Sequence, residues 1–228
     1  MRILAIDTTG PRESVAIVAD GVALGEVRLA APDAHSRRVL PAVAFLVDSL
    51  GLRPTDLDAF AVAVGPGSFT GVRVGISTVQ GLALATGRPC LGVSSLEALA
   101  TRIRGQAPWL VAMVDAYRSE VFAAVYDRDG QPAGPPTVEA LARLLARVPQ
   151  GAAFIGDGAE RYREDILAHD PGAAFPARGL FLAATVGTLA APRLERGEGL
   201  TAGELRPLYL RDASIRPSAA AVPSATRG

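Results

Sequence analysis

The sequence predicts an α/β protein of two pseudo-duplicated halves, each a mixed sheet flanked by helices. Three observations carry this reading. First, Ile3–Gly21 ("ILAIDTTGPRESVAIVADG") can be laid on Val111–Gly130 ("VAMVDAYRSEVFAAVYDRDG"). Both read apolar strand, Asp, polar turn, acidic residue, apolar strand, Asp-Gly, with the first Asp and the final Gly 14 residues apart in one copy and 15 in the other. Second, each hairpin is followed by segments in which helical and strand periodicities alternate. Third, 228 residues with 49% hydrophobic and 20% charged side chains suit a folded chain of one large or two small domains.

The elements follow in order. "RILAID", "SVAIVADG" and "VALGEVRLA" form a three-stranded meander, with Asp20-Gly21 as a tight hairpin turn. In residues 36–50, Val39, Leu40, Val43, Leu46, Val47 and Leu50 fall on helical spacing, and Gly51 ends the helix as a C′ residue. Pro41 lies near its start and is expected to bend it. "LDAFAVAVGP" is a buried strand, "GPGSFTG" a loop, and residues 70–86 a second helix. "CLGV" is a short strand, and Ser94 or Ser95 caps the next helix. In the second half, "VEALARLLARV" is expected as a helix, "AAFIGDG" as a strand, and "AERYREDILA" and "LFLAATVGTLAAPRL" as helices. The domains are therefore expected at 1–105 and 106–211, divided near Gly105–Pro108. Residues 212–228 are rich in Pro, Ala and Ser and are expected to carry no fixed structure.

Composition excludes several functions. Net charge is zero, so no whole-protein field favours nucleic acid. All 23 basic residues are arginine. A P-loop lysine, a Schiff-base lysine and a lysine general base are thus removed together. Cys90 is the single cysteine, which excludes an internal disulfide and a cysteine metal site. His35 and His169 have no second His four residues on, so no paired-imidazole ligand set exists. Asp7 interrupts the first apolar run too early for a secretory leader, and no apolar run reaches the about 18–20 residues that span a bilayer. A cytoplasmic location with no membrane contact is expected.

Two strand–Asp–hairpin halves facing a cleft resemble the plan of the actin, sugar-kinase and Hsp70 superfamily, in which hairpins close on phosphate and metal. Asp7, Thr8 and Thr9 in the first half, and Asp115, Gly156 and Gly158 in the second, occupy the corresponding positions. Both hairpins are poor in the glycine that lets a backbone approach phosphate: the first has only Gly10 and the second none. Asp157 in "IGDG" would also repel a phosphate. The cleft thus reads as degenerate, and Asp7 and Asp115 as residues that pin their own turns. A small kinase or ATPase of this fold using the Asp7/Asp115 cleft is the alternative. A serine-hydrolase reading fails, because neither "GPGSFTG" nor "GVSSLE" matches G-x-S-x-G.

Gly65, Pro66, Gly67 and Ser68 could cradle a phosphate at a helix start. The glycines continue into the helix at 71, 75 and 81, where each interior glycine costs about 1 kcal/mol against alanine. Such a helix needs another backbone close by. Gly71, Val74, Gly75, Thr78, Gly81 and Leu82, with Leu40, Ala42, Phe45 and Ser49 of the preceding helix, are read as a surface that pairs with a neighbouring chain. The glycine-rich segment is then a strand-to-helix elbow.

With these residues assembled, the chain resembles the TsaB (YeaZ) family of bacterial tRNA-modification proteins. The resemblance rests on "ILAIDTT…SVAIV", "HSRRVLP", "GPGSFTGVRVG…GLALA", "GVSSLEALA", "DAYRSEVFAAVY" and "PLYLR", and covers Ile3 to Arg211. It implies a shortened actin-like/ASKHA (RNase H-like) fold of two small domains. It also implies a role in forming N6-threonylcarbamoyladenosine next to the anticodon of tRNAs that read codons beginning with A. The implied partners are a TsaD-like catalytic paralogue, a TsaE-like ATPase and a homodimer of the chain alone, with tRNA met through the complex. The HxxxH metal motif of TsaD is missing: His35 is followed by Ser36, Arg37, Arg38 and Val39. No cofactor is therefore expected in this chain. ATP, and Mg or another metal, belong to the partner subunits, and the chain is expected to be non-catalytic alone and not a peptidase.

Overall fold

The computed structural model describes residues 1–30 and 35–210, the side chains of 35–37 excepted. The expectations for the tail 212–228 and for the His35 side chain lie outside the described residues.

The two halves each build one mixed sheet. In the first, strands β1 (Arg2–Asp7), β2 (Arg12–Ala19) and β3 (Val22–Ala30) form the meander. Asp20 and Gly21 both adopt positive φ (50° and 78°), the backbone that a two-residue hairpin turn needs. Strand β4 (Ala59–Ala63) then runs parallel to β1, and β5 (Cys90–Val93) parallel to β4, giving the order β3-β2-β1-β4-β5. In the second sheet, β6 (Trp109–Asp115) and β7 (Glu120–Asp127) pair antiparallel. β8 (Thr137–Ala140) flanks β7, and β9 (Ala153–Ile155) runs parallel to β6. The hairpin-plus-parallel-strand plan therefore recurs, which is what the internal repeat implied.

Side-chain alternation divides the first sheet between two helical layers. Leu4, Ile6, Val15, Ile17, Phe60 and Val62 point to helices α1 (His35–Ser49) and α2 (Phe69–Thr86). Ile3, Ala5, Ala59 and Ala61 point the other way, to helix α3 (Ser95–Thr101) and to a helix from the far end of the chain. That helix, Ala183–Glu195, follows α4 (Leu141–Arg147), α5 (Asp157–Arg161) and α6 (Arg163–His169) and is designated α7. The small residues of the sheet let it come close. A Cβ on its Gly187 would stand 2.6 Å from a Val18 methyl and 3.2 Å from the Ala5 Cβ.

The same apolar cluster continues through Leu110, Ala112, Val114 and Ile155 of the second sheet, so one core is shared by both halves. The outer face of the second sheet packs Val111, Met113 and Val121 against Leu144, Ala159 and Ile166 of α4, α5 and α6.

Two differences from the sequence expectation have physical causes. Val138–Ala140, read as the start of a helix, belongs to strand β8, because Glu120–Ala123 of β7 pairs with it. The stretch 183–208, placed with the second half by chain order, lies on the first sheet. Leu200 bridges Cys90 through two backbone hydrogen bonds (2.9 and 2.8 Å), and Leu208 N–H donates to the Val64 carbonyl (2.8 Å).

Candidate functional site

Asp7 closes β1 and Asp115 closes β6. Asp7 is 2% exposed, and its Oδ1 accepts from the backbone N–H of Thr9 (3.0 Å) and from the Thr9 hydroxyl (2.7 Å). Burial drives its carboxyl up from the ordinary 3.8 to about 6; the Thr9 bonds partly offset this and the nearby Glu13 charge adds to it. Thr8 turns away, its hydroxyl donating to the Gly71 carbonyl (2.7 Å).

Asp115 is held differently. Its Oδ1 accepts from the backbone N–H of Tyr117 (3.0 Å), and its Oδ2 pairs with Arg161 (2.9 Å). The turn it pins has three consecutive non-glycine residues at positive φ: Tyr117, Arg118 and Ser119.

The carboxylate that shares a cavity with Asp7 is Asp157, whose role sequence reasoning missed. Its Oδ1 accepts from the N–H of Asp115 (3.2 Å) and of Gly158 (2.8 Å). Desolvation raises its carboxyl, and the Asp115 and Glu160 charges push the same way. The cavity is lined by Asp7, Thr9, Ser95, Asp157, Leu180 and Leu182 and encloses about 30 Å³ of water-accessible space. That is room for one or two waters. Arg12 of the first half and Glu160 of the second bridge its mouth at 3.0 Å. No signal in the sequence announced this pair, because it joins residues 148 apart whose proximity only the tertiary fold creates.

The two glycines of the Ile155–Gly158 loop are taken up by backbone packing. Gly156 has φ 117°, and a Cβ there would stand 1.9 Å from the Met113 carbonyl oxygen; a Cβ on Gly158 would meet the backbone of Val114 and Asp115 at 3.1 and 3.2 Å. Both glycines therefore serve close approach of the loop to β6. Among the described residues no group of three or more His, Cys, Asp or Glu is placed to hold a metal ion.

The glycine-rich elbow has a similar explanation. Gly65 has φ 103°, the Gly65–Pro66 bond is cis, and Ser68 caps α2 by accepting from Gly71 N–H (3.3 Å). The Ser68 N–H donates to the Thr9 carbonyl (2.7 Å). A Cβ on Gly67 would lie 2.3 Å from the Thr9 oxygen, one on Gly71 1.9 Å from the Thr8 oxygen, and one on Gly75 2.6 Å from the Thr8 hydroxyl. Gly67 just before the cap of α2, and Gly71 and Gly75 one turn apart within it, form a groove that the Thr8–Thr9 turn fills. The close backbone predicted from glycine cost exists, and it belongs to the same chain.

This sorts the expected pairing residues. Gly71, Gly75 and Ala42 face inward, a correction to their placement on the outward surface. Val74, Thr78 and Leu82 are half-buried, while Ser49 and Gly81 are exposed. Leu40 and Phe45 of α1 are 56% and 64% exposed, and Leu84 of α2, which the sequence reading omitted, is 79% exposed. α1 and α2 pack side by side, and each carries exposed apolar side chains.

Fold and site together define a protein of the actin-like fold with a narrow cavity between its two sheets. Comparison with known proteins agrees on the fold. Residues 27–187 match the family model "TsaD: tRNA N6-adenosine threonylcarbamoyltransferase". The solved structure of YeaZ from Pseudomonas aeruginosa superposes with a TM-score of 0.78 at 36% identity, covering 91% of this chain and 100% of that one. The Escherichia coli K12 tRNA threonylcarbamoyladenosine biosynthesis protein TsaB is 44% identical over 131 residues, 57% of this chain and 56% of the relative. The chain spans about half the length of the first curated relatives it matches. A likeness in fold alone extends to the ethanolamine utilization protein EutJ of Carboxydothermus hydrogenoformans (TM-score 0.57, 11% identity). The chain belongs to the TsaB/YeaZ family of TsaD-related proteins. Among the described residues no helix is long and apolar enough to cross a membrane.

Proposed function

We propose that this chain is a non-catalytic subunit of the assembly that transfers the threonylcarbamoyl group to adenosine next to the anticodon of tRNA. The family supports the pathway. The non-catalytic part rests on one observation: the cleft that does chemistry in larger actin-like proteins is filled. Its two Asp residues are spent on their own turns and on Arg161, its glycines lie against β6, and about 30 Å³ remains. The chain then acts through its surface. Leu40, Phe45, Gly81 and Leu84 form the face that holds a TsaD-like catalytic paralogue, or a second copy of the chain when that paralogue is absent. A TsaE-like ATPase joins the assembly, tRNA is met through it, and ATP and Mg act on the partner subunits.

Reconstitution tests this. The purified chain alone neither hydrolyses ATP nor modifies tRNA, and its addition to the TsaD-like and TsaE-like proteins restores modification. ATP hydrolysis by the chain alone that is lost in Asp7→Ala overturns the non-catalytic reading. Full modification without the chain overturns the subunit reading.

A further inference from the structure

The two motifs that lie far apart in the sequence, "GPGSFTGVR" and "PLYLR", meet on the surface. The Phe69 and Tyr209 rings stack with centroids 5.8 Å apart and an interplanar angle of 26°. The Arg73 guanidinium lies 3.9 Å from the Phe69 ring centroid, and its Nε donates to the Tyr209 hydroxyl (3.2 Å). Phe69 and Tyr209 nevertheless remain 49% and 43% exposed. Nothing in the closed cleft or the shared core calls for two half-exposed aromatic rings here.

The chain before Tyr209 is a strap tied along α2. The Gln80 side-chain amide donates to the carbonyls of Ala202 (2.9 Å) and Leu205 (3.2 Å). At 100° per residue, Phe69, Arg73 and Gln80 share one flank of α2, and Val74, Thr78 and Leu82 share another. Between the flanks α2 exposes Thr70, Ser77 and Gly81, with Leu84 beside them at its C-terminal end. The bulky exposed groups of these elements are Leu40 and Phe45 on α1, Leu84 on α2, and Phe69 and Tyr209 where the strap meets α2.

The charges on this surface indicate what it receives. The described charged side chains of α1 and α2 are Arg38, Asp48 and Arg73. Among the described residues no carboxylate pairs with Arg73, whose described partners are the Phe69 ring and the Tyr209 hydroxyl. Orientation by two aromatic groups leaves its remaining N–H donors preset, and Arg and Tyr so held are typical of residues that dominate protein interfaces.

We propose that the strap is the second wall of the pairing face, and that Tyr209 and Phe69 hold Arg73 to receive a carboxylate of the TsaD-like partner. The inference rests on the pairing face proposed above and adds a polar anchor at its far side. Arg73 and Tyr209 are positioning and recognition residues, with no part in the chemistry.

The test is titration calorimetry of the full chain against the TsaD-like chain of the same genome, across a range of salt. Arg73→Gln is expected to weaken pairing about 10-fold or more and to flatten its salt dependence, as loss of an interfacial charge contact does. Arg73→Lys keeps the charge but not the planar stack, and recovers only part of the loss. Tyr209→Phe, which removes only the hydroxyl, weakens pairing less than Tyr209→Ala. Phe45→Arg, on the opposite wall, abolishes pairing. Melting curves are taken in parallel, and if Tyr209→Ala is not folded, Tyr209→Phe and Arg73→Gln decide. Binding by Arg73→Gln within two-fold of the parent at every salt, with Phe45→Arg inactive, overturns this inference and leaves the pairing face standing. Binding by Phe45→Arg within two-fold overturns both.

Discussion

Replacing Asp7 with asparagine tests whether the cleft is a closed piece of core. Its carboxyl is fully enclosed and titrates at about 6 rather than the ordinary 3.8. One unit of difference between folded and unfolded chains corresponds to about 1.4 kcal/mol, so this displacement is worth about 3 kcal/mol. Because the folded value lies above the unfolded one, the folded chain binds more protons between them. Asp7's contribution to stability is therefore greatest below about 3.8, falls as pH rises through 6, and is level above that. The Asp7→Asn variant has no such slope. Its amide oxygen keeps the two Thr9 bonds, while the Leu182 N–H that favours the carboxylate can lose its acceptor, at about 1 kcal/mol. Asp7→Asn is expected to be about 1–3 kcal/mol more stable than the parent at pH 8 and no more stable at pH 4. Urea unfolding followed by fluorescence of the single tryptophan, Trp109, at half-unit pH steps measures both curves. Subtracting one from the other removes the like-signed contribution of Asp157. Parallel curves for parent and variant between pH 4 and 7 refute the buried-carboxyl reasoning.

Four further outcomes follow from the local geometry. Gly71→Ala forces a methyl into the Thr8 carbonyl and is expected to cost about 2–4 kcal/mol in chemical denaturation, whereas Gly81→Ala meets nothing within 4 Å and should gain up to about 1 kcal/mol from helix propensity. Gly156→Ala combines a positive φ with a carbonyl 1.9 Å away, and is expected to lower yield and melting temperature more than any surface change near the cleft. Arg12→Ala breaks a partly exposed ion pair between the halves and is expected to cost no more than about 1 kcal/mol, with the loss fading at high salt.

The sequence revealed local events better than their destinations. Period, hairpin turns and the repeated strand–Asp–hairpin placed β1 to β7 and α1 to α3, because those signals live within a few residues. Val138–Ala140 misled, because "VEALARLL" has helical propensity throughout and only pairing with β7 makes its first residues a strand. The glycine argument was right that a backbone must approach α2 and wrong about whose. Cost per glycine is a property of the helix alone, while Thr8 is 63 residues from Gly71 in sequence. For the same reason Asp157, Arg12 with Glu160, and the Arg73–Tyr209 contact were out of reach.

The return of α7 to the first sheet bears on how the molecule comes into being. As the ribosome releases the chain, β1, β2 and β4 can pair early, yet the side of that sheet carrying Ile3, Ala5 and Ala61 has no cover from Ala183–Glu195 until that segment emerges. By then β1 to β9 have all been made. The amino-terminal half cannot complete itself as a separate unit, and the last long helix acts as the keystone of the first sheet. A nascent chain arrested at residue 105 presents a bare apolar surface to chaperones, and one arrested beyond residue 200 does not.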